Sequence, residues 1–274
     1  MKQILLPTDF SAHAENALKV AAQIAQKCNG EVIIAHILEL PNHGNDAILG
    51  GTSIPETMLF MKKAKERMNS LCEKPYLKNV AVSEIIRLDK TSEGIVNICK
   101  DYPIDLIIMG SNGSIGYDEL LIGSNTEKLV RDSNIPVLVI KKEIEDFKVN
   151  DMVFASDFTK KIESSFKKVV EVAKFFNTTI HLVMINTPNI FHTNKKADEL
   201  MNNFIQKFEL RKYTKTIYND TNVEQGILNF AKSINADLIG MCTHGRKGIS
   251  HFFNGSISEG LVNHTVRPVI TFKM

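Results

Sequence analysis

The sequence predicts an α/β protein of two tandem doubly wound domains, each a mainly parallel five-stranded sheet flanked by helices. The first observation is an internal repeat: residues 4–11 (ILLPTDFS) reappear as 152–159 (MVFASDFT), and residues 105–109 (DLIIM) reappear as 237–241 (DLIGM). The second is that short, nearly continuous apolar segments alternate with segments of helical periodicity. That alternation is typical of a parallel sheet covered by helices on both faces.

The predicted elements follow the same order in both halves. Between two β-rich apolar runs, small and apolar residues recur at helical spacing from residue 14 to residue 25. The strands predicted in the first half are 2–7, 31–38, 80–88, 106–109 and 137–140, and its helices are 14–25, 56–72, 92–100 and 126–131. The strands predicted in the second half are 151–155, 179–185, 212–218, 237–241 and 268–272.

A polar, charged segment at residues 141–150 separates the halves, so we predict domains at 1–143 and 150–274. The second copy is shorter in its middle than the first. The extra segment of the first copy covers residues 41–76. It is either a loop or lid with a role in function, or a longer connection with none.

Composition bounds the class of function. The 274 residues are 43% hydrophobic and 23% charged, with a net charge of +2 and no long basic run, so no nucleic-acid footprint is visible. Apolar runs fall far short of the roughly 20 residues that cross a bilayer, and no signal peptide is recognisable, so we expect a cytoplasmic protein without a membrane span. The four cysteines form no Cys-x-x-Cys pair, which favours free thiols.

The candidate site lies where the strands of the first half end. Ligands of doubly wound sheets bind at the carboxyl ends of the strands, which here carry residues 7–9 (Pro-Thr-Asp), residues 36–38 (His-Ile-Leu) and the glycine-rich residues 110–116. Ser124 and Glu127 then have the spacing of a capping box that opens a helix. Glycine permits close backbone approach and a helix N-terminus favours anions, which together suit phosphate. The structural alternative is that the glycines turn the chain and Ser124 caps its helix.

The spacing Gly110-x-x-Gly113-x9-Gly123-Ser124, together with residues 7–11 (Pro-Thr-Asp-Phe-Ser), resembles the universal stress protein family over both halves of the chain. The resemblance implies a fold related to the adenine nucleotide alpha hydrolases, and ATP binding as in one branch of the family. A divalent ion, Mg²⁺, would accompany the phosphates, and the sequence offers no separate metal cage for it. The family's nucleotide-contacting positions fall on Pro7, Thr8, Asp9, Ile37, Met109, Gly110, Asn112, Gly113, Gly123, Ser124, Asn125 and Thr126.

The second copy departs from this pattern. Cys242 replaces the first glycine of the motif, where its side chain is a candidate to intrude on phosphate, and Ala155-Ser156 replace Pro-Thr. The nucleotide-contacting positions that it keeps are Asp157, His244, Gly245, Gly255, Ser256 and Ser258. We therefore rank the first site above the second. One binding copy beside a degenerate one, and two working sites, both remain open.

Several residues have plain structural alternatives. Asp9 and Asp157 suit the turn from a strand into the following helix, and recurrence in both copies does not separate that role from ligand contact. His36 lies in an apolar strand and is interpreted as a hydrogen-bonded core histidine. His244 is the better functional candidate because the motif surrounds it.

The function that the resemblance implies is that of an ATP-binding regulator, or a chaperone-like partner of another protein, in the stress response. No P-loop lysine, nucleophile elbow or metalloprotease motif is present, so a fast enzyme is not expected. A nucleotide-free protein-interaction module and a slow ATP hydrolase are the alternatives. The resemblance also implies that residues 136–140 and 268–272 pair edge to edge, making an intrachain pseudo-dimer, and that two chains associate as a homodimer.

Overall fold

The computed structural model describes residues 1–39, 54–111, 123–243 and 255–274. The strands are β1 (Gln3–Pro7), β2 (Glu31–Leu38), β3 (Ala81–Leu88), β4 (Leu106–Gly110), β5 (Val137–Ile140), β6 (Asp151–Ala155), β7 (Thr179–Asn186), β8 (Tyr213–Asn219), β9 (Leu238–Thr243) and β10 (Val269–Lys273). The helices are α1 (Ala12–Cys28), α2 (Ile54–Cys72), α3 (Thr91–Asp101), α4 (Ser124–Asp132), α5 (Glu163–Phe176), α6 (Asn194–Ile205), α7 (Val223–Ser233) and α8 (Gly255–His264). We call β1 to β5 with their helices repeat 1, and β6 to β10 with theirs repeat 2.

All ten strands form one sheet in the order β3-β2-β1-β4-β5-β10-β9-β6-β7-β8. Within each repeat the neighbouring strands are parallel, whereas β5 and β10 pair antiparallel, with Val139 opposite Val269 and Val137 opposite Thr271. The edge-to-edge pairing of the last strands is therefore confirmed. Because the sheet runs unbroken through both repeats, the domain limits at 143 and 150 stay a prediction.

The two faces of the sheet are covered by different helices. Ile4 and Leu6 pack in a core cluster with α1 residues, whereas Leu5 between them packs in a second cluster with α3 and α4 residues. Alternate side chains of a strand point to opposite faces, so a strand buried on both reads as a continuous apolar run. This accounts for the inner strands. The partly exposed edge strands β3 and β8 also match their predictions, and every predicted strand agrees with the structure to within one or two residues at each end.

The helices of the first face end in matched ways. Asn29 follows α1 with φ 48°, and Asn177 follows α5 with φ 55°. Asparagine tolerates this left-handed conformation better than most residues with a side chain, so both helices stop at the same place in the repeat.

Candidate functional site

Helix α4 begins beside the end of β4, next to the point where the strand order of repeat 1 reverses. β1 pairs with both β2 and β4, so the chain leaves β1 and β4 in opposite directions there. The Gly123 amide donates to the Ser111 carbonyl at 2.7 Å, and the buried Thr126 hydroxyl donates to the Gly110 carbonyl at 3.1 Å. The structure thus brings four residues from the two ends of the predicted motif together. Asn112 and Gly113 lie outside the described residues.

The predicted capping box is wrong. The residue in the N-cap position of α4 is Gly123, with φ −66° and ψ 149°, and Ser124 is already the first helical residue. The Glu127 carboxylate, which a capping box would turn back to the cap, instead accepts a hydrogen bond from Arg131 at 3.1 Å. Glycine has no side-chain oxygen, so the first amides of α4 have no side-chain cap in the part of the chain that the structure describes. Helix N-terminal amides without a side-chain cap favour bound anions.

The turn between β1 and α1 is held by its own side chains. The Thr8 hydroxyl accepts from the Phe10 amide at 3.0 Å, and the Asp9 carboxylate accepts from the Ser11 amide at 3.0 Å. These bonds hold Phe10 at φ 63°, a left-handed conformation that a bulky residue rarely adopts. Ser11 then caps α1 by accepting from the Ala14 amide.

Repeat 2 builds the same turn between β6 and α5. Ser156 accepts from the Phe158 amide at 3.0 Å, Asp157 accepts from the Thr159 amide at 3.3 Å, and Phe158 has φ 53°. These hydrogen bonds explain why a hydroxyl and an Asp recur at the turn in both copies. The structural interpretation of Asp9 and Asp157 is therefore supported by their bonds, whether or not they also contact a ligand.

His36 at the end of β2 holds the turn of repeat 1 in place. Its Nδ1 donates to the Thr8 carbonyl at 2.8 Å, and its ring centroid lies 4.5 Å from that of Phe10. Burial lowers the pKa of this histidine, which favours the neutral ring. The predicted hydrogen bond is confirmed, while the side chain is half-buried rather than in the core.

Gly110 meets helix α1 rather than a ligand on the side where a side chain would project. A Cβ built there would lie 2.7 Å from the His13 carbonyl carbon and oxygen and 3.0 Å from the Ala14 nitrogen. The missing side chain thus lets the start of α1 approach β4.

Cys242 occupies the equivalent position of repeat 2. Its side chain lies in the core cluster of the first face with Phe154 and Phe166, and this burial raises the pKa of the thiol to about 12. The sequence leaves open whether this side chain intrudes on phosphate or is accommodated, and in the structure it lies in the core.

The two repeats differ in how the chain enters the first helix. The chain enters α5 through a 3₁₀ turn, Lys160–Ile162, whereas it enters α1 directly.

Ile37 provides a buried apolar surface near the turn of repeat 1. Its side chain packs on α3, where a Cβ added to Gly94 would lie 3.1 Å from the Ile37 Cδ1 and Cγ2 atoms. Met109 on β4 is also buried and belongs to the same core cluster. An adenine ring stacks readily on surfaces of this kind.

Besides the Asp turn, the two repeats share an Asp–Asn hydrogen bond between the end of the third strand and the following helix, which the sequence analysis missed. Asn97 donates to the Asp89 carboxylate at 3.2 Å, and Asn229 donates to the Asp220 carboxylate at 2.8 Å. Each aspartate follows the third strand of its repeat and faces the glycine of a Gly-x-x-Asn sequence on the next helix. Comparing residues 89–97 with 220–229 reveals the pattern, so the signal was in the sequence.

The remaining positions of repeat 2 are only partly described. Gly255 begins α8 as Ser124 begins α4. His244 and Gly245 lie outside the described residues, and the side chains of Ser256 and Ser258 are not described. The predicted constellation of repeat 2 is therefore visible only in the Asp157 turn and in the start of α8.

Helix α2 of the extra segment packs beside the turn of repeat 1 on the α1 face. The Arg67 guanidinium lies 4.7 Å from the centroid of the Phe10 ring. Both residues line a cavity of about 300 Å³ together with Thr8 and Ser11. In repeat 2 the equivalent Phe158 is buried under Phe204, at 5.5 Å between centroids. The predicted helix at residues 56–72 is confirmed, since α2 covers Ile54–Cys72. Residues 40–53 lie outside the described residues.

The comparisons with known proteins agree with this geometry. A model described as the Universal stress protein family matches residues 1–141 and again residues 149–273. The chain belongs to the universal stress protein family. It is 36% identical over 157 residues to Universal stress protein MJ0577 of Methanocaldococcus jannaschii, covering 52% of this chain and 96% of that protein.

Two further matches show the tandem arrangement. Universal stress protein Slr1230 of Synechocystis sp. is 21% identical over an alignment of 297 residues that covers 100% of both chains. The crystal structure of a universal stress protein from Archaeoglobus fulgidus superposes with a TM-score of 0.76 at 20% identity, covering 99% of this chain and 98% of that one. The universal stress protein fold thus extends over both repeats.

The described residues contain neither a membrane-spanning helix nor a cluster of metal-ligating side chains. Within them, no helix is both long and apolar enough to cross a membrane. The same residues contain no group of three or more His, Cys, Asp or Glu side chains placed to hold a metal ion.

Proposed function

We propose that this universal stress protein binds ATP in repeat 1 and acts as a nucleotide-responsive regulator of the stress response. The observation that carries the proposal is the start of α4, whose first amides have no side-chain cap among the residues that the structure describes and lie against the end of β4. Uncapped amides and the positive end of the helix dipole favour phosphate oxygens. The phosphates would rest on residues 110–113 and on Gly123 and Ser124.

The rest of the proposed site follows from its two neighbouring surfaces. The adenine ring would lie beside Ile37 and Met109, which are buried and apolar. The turn made by Thr8 and Asp9 would border the nucleotide, held rigid by the bonds to its own backbone. Mg²⁺ would bind with the phosphates.

Repeat 2 is the weaker candidate, although Cys242 does not disqualify it. The thiol points into the core, and the turn at Asp157 is intact. We therefore propose at least one nucleotide per chain and leave the second site to measurement. Association of two chains stays a prediction.

Equilibrium binding of labelled ATP tests the proposal with matched variants of the two repeats. Gly113→Val should abolish tight binding at repeat 1, because a branched side chain would fill the space that the phosphates need. Gly245→Val is the control, since it makes the same change at the matching position of repeat 2. If Gly113→Val still binds as many ATP molecules per chain as the wild type, with the same affinity, the phosphate placement is contradicted. A phosphate-release assay on the wild type distinguishes a regulator from a slow hydrolase.

A nucleotide-free interaction module is the second candidate, and α2 favours it. Met58, Leu59 and Phe60 of this helix are 67%, 50% and 40% exposed. Neighbouring exposed apolar side chains are typical of contact surfaces between proteins. Wild-type protein that binds no ATP at millimolar concentration, with or without Mg²⁺, would favour this function instead.

A further inference from the structure

The end of helix α4 is capped by repeat 2. The last carbonyls of a helix have no amide partner within it, and here the partners come from the other repeat. The Thr243 hydroxyl donates to the buried Val130 carbonyl at 3.1 Å, and the Lys273 ammonium donates to the Asp132 carbonyl at 2.9 Å. Just beyond the helix, Lys168 of α5 donates to the Asn134 carbonyl at 2.6 Å.

Helix α8 receives the reciprocal contact from repeat 1. Lys141, which follows β5 as Lys273 ends β10, donates to the Asn263 carbonyl at 3.2 Å. Burial lowers the pKa of Lys141 to about 8, so the amine still carries its charge at neutral pH. A cation at a helix C-terminus stabilises the helix through its dipole. Lys273 of repeat 2 thus stabilises α4 of repeat 1, and Lys141 of repeat 1 stabilises α8 of repeat 2.

The hydroxyl contact is not reciprocal. Ser111 occupies the position in repeat 1 that Thr243 occupies in repeat 2, yet its buried Oγ has no hydrogen-bond partner among the residues that the structure describes. A buried hydroxyl bond therefore runs from repeat 2 to α4, with no described counterpart running to α8. Thr243 is also the residue directly before His244 of the second motif.

We propose that Thr243 and Lys273 of repeat 2 are positioning residues for the phosphate site of repeat 1. This inference rests on the proposed function, because it gives α4 amides the role of binding ATP. Helix α4 has only 9 residues and spans about 13 Å, so its two ends move together. If the last turn of α4 becomes more mobile, its first amides will be held less precisely, and their contact with the phosphates will weaken.

Thr243→Val tests the hydroxyl contact, because it keeps the side-chain shape and leaves the Val130 carbonyl without its donor. Amide hydrogen exchange over residues 128–133 should become about tenfold faster. The dissociation constant for ATP at repeat 1 should rise about fivefold, measured in the Gly245→Val background. Thr271→Val is the matched control: Thr271 is as buried, lies at the same interface and contacts β5 instead of α4. It should leave both readings unchanged.

The lysines give a second, crossed test. Lys273→Met should speed exchange in α4 and leave α8 unchanged, whereas Lys141→Met should speed exchange in α8 and leave α4 unchanged. Equal effects of both variants on both helices would overturn the inference, as would unchanged α4 exchange in Thr243→Val. If α4 exchange rises but ATP affinity stays the same, the positioning role is refuted for a protein that does bind ATP.

Failure of the proposed function has a different signature. Wild-type protein would then bind no ATP, and both the proposed function and the phosphate-positioning role would be refuted. The exchange measurement would still decide whether repeat 2 holds α4, since it needs no nucleotide.

Discussion

Replacing Gly110 by alanine should destabilise the protein through helix α1. The new Cβ would lie 2.7 Å from the backbone of His13, and backbone cannot rotate away as the end of a side chain can. Overpacking of this kind costs about 2 kcal/mol. With a urea m-value of about 3 kcal/mol/M, the unfolding midpoint should fall by about 0.7 M. Urea unfolding followed by circular dichroism measures this shift.

Gly240→Ala is the matched control for that experiment. Gly240 lies in β9, and a Cβ added there would make ordinary contacts of 3.4 to 3.6 Å with Met152, Phe154 and Ile270. No described glycine has a positive φ, so neither substitution strains the backbone. Because alanine suits a strand better than glycine, this variant should be unchanged or more stable by about 0.5 kcal/mol.

The two possible roles of Gly110 give opposite results. If the glycine serves mainly to let its backbone approach phosphate, Gly110→Ala will lose ATP affinity while its unfolding midpoint stays at the wild-type value. That result would refute the packing argument. A fall in the midpoint, with Gly240→Ala unaffected, supports it.

Three further predictions follow from packing and burial. Iodoacetamide at pH 8 should leave Cys242 unmodified in folded protein and modify it after unfolding, by peptide mass spectrometry, because burial raises the pKa of its thiol to about 12. Phe158→Ala should cost about 3 to 5 kcal/mol of unfolding free energy and Phe10→Ala only about 1, since Phe158 is 3% exposed and Phe10 is half-buried. Gly226→Ala should destabilise more than Gly94→Ala in thermal unfolding, because its Cβ would lie 2.6 Å from Ile185 Cγ2, whereas the closest contact at Gly94 is 3.1 Å.

The sequence predicts the strands well because of what buries them. Strands covered on both faces need apolar side chains at most positions, so the predicted strands 31–38 and 137–140 match the observed ones residue for residue. The internal repeat adds the order of elements. Even the helix of the extra segment is visible from its periodicity, since it packs one face on the sheet and exposes the other.

The details of the site depend on contacts that no local pattern encodes. A serine followed three residues later by glutamate suits a capping box, but the backbone of Gly123 decides which residue is the cap, and it places Ser124 inside the helix. Likewise, the sequence alone cannot tell whether Gly110 is a glycine because its backbone approaches phosphate or because α1 packs against it. Only the distance between α1 and β4 separates these roles, and that distance is set by tertiary packing.

The antiparallel junction explains why each repeat caps the other. Helix α4 starts at the carboxyl ends of the repeat 1 strands and runs back along the sheet, as a crossover helix must. Because β5 and β10 are antiparallel, the edge that α4 reaches is the carboxyl edge of repeat 2, where β9 ends at Thr243 and β10 ends at Lys273. The same geometry carries α8 to Lys141 at the end of β5. A parallel junction would put both sites on one edge and leave these helix ends without such partners, so the contact between repeats is a consequence of the central strand pair.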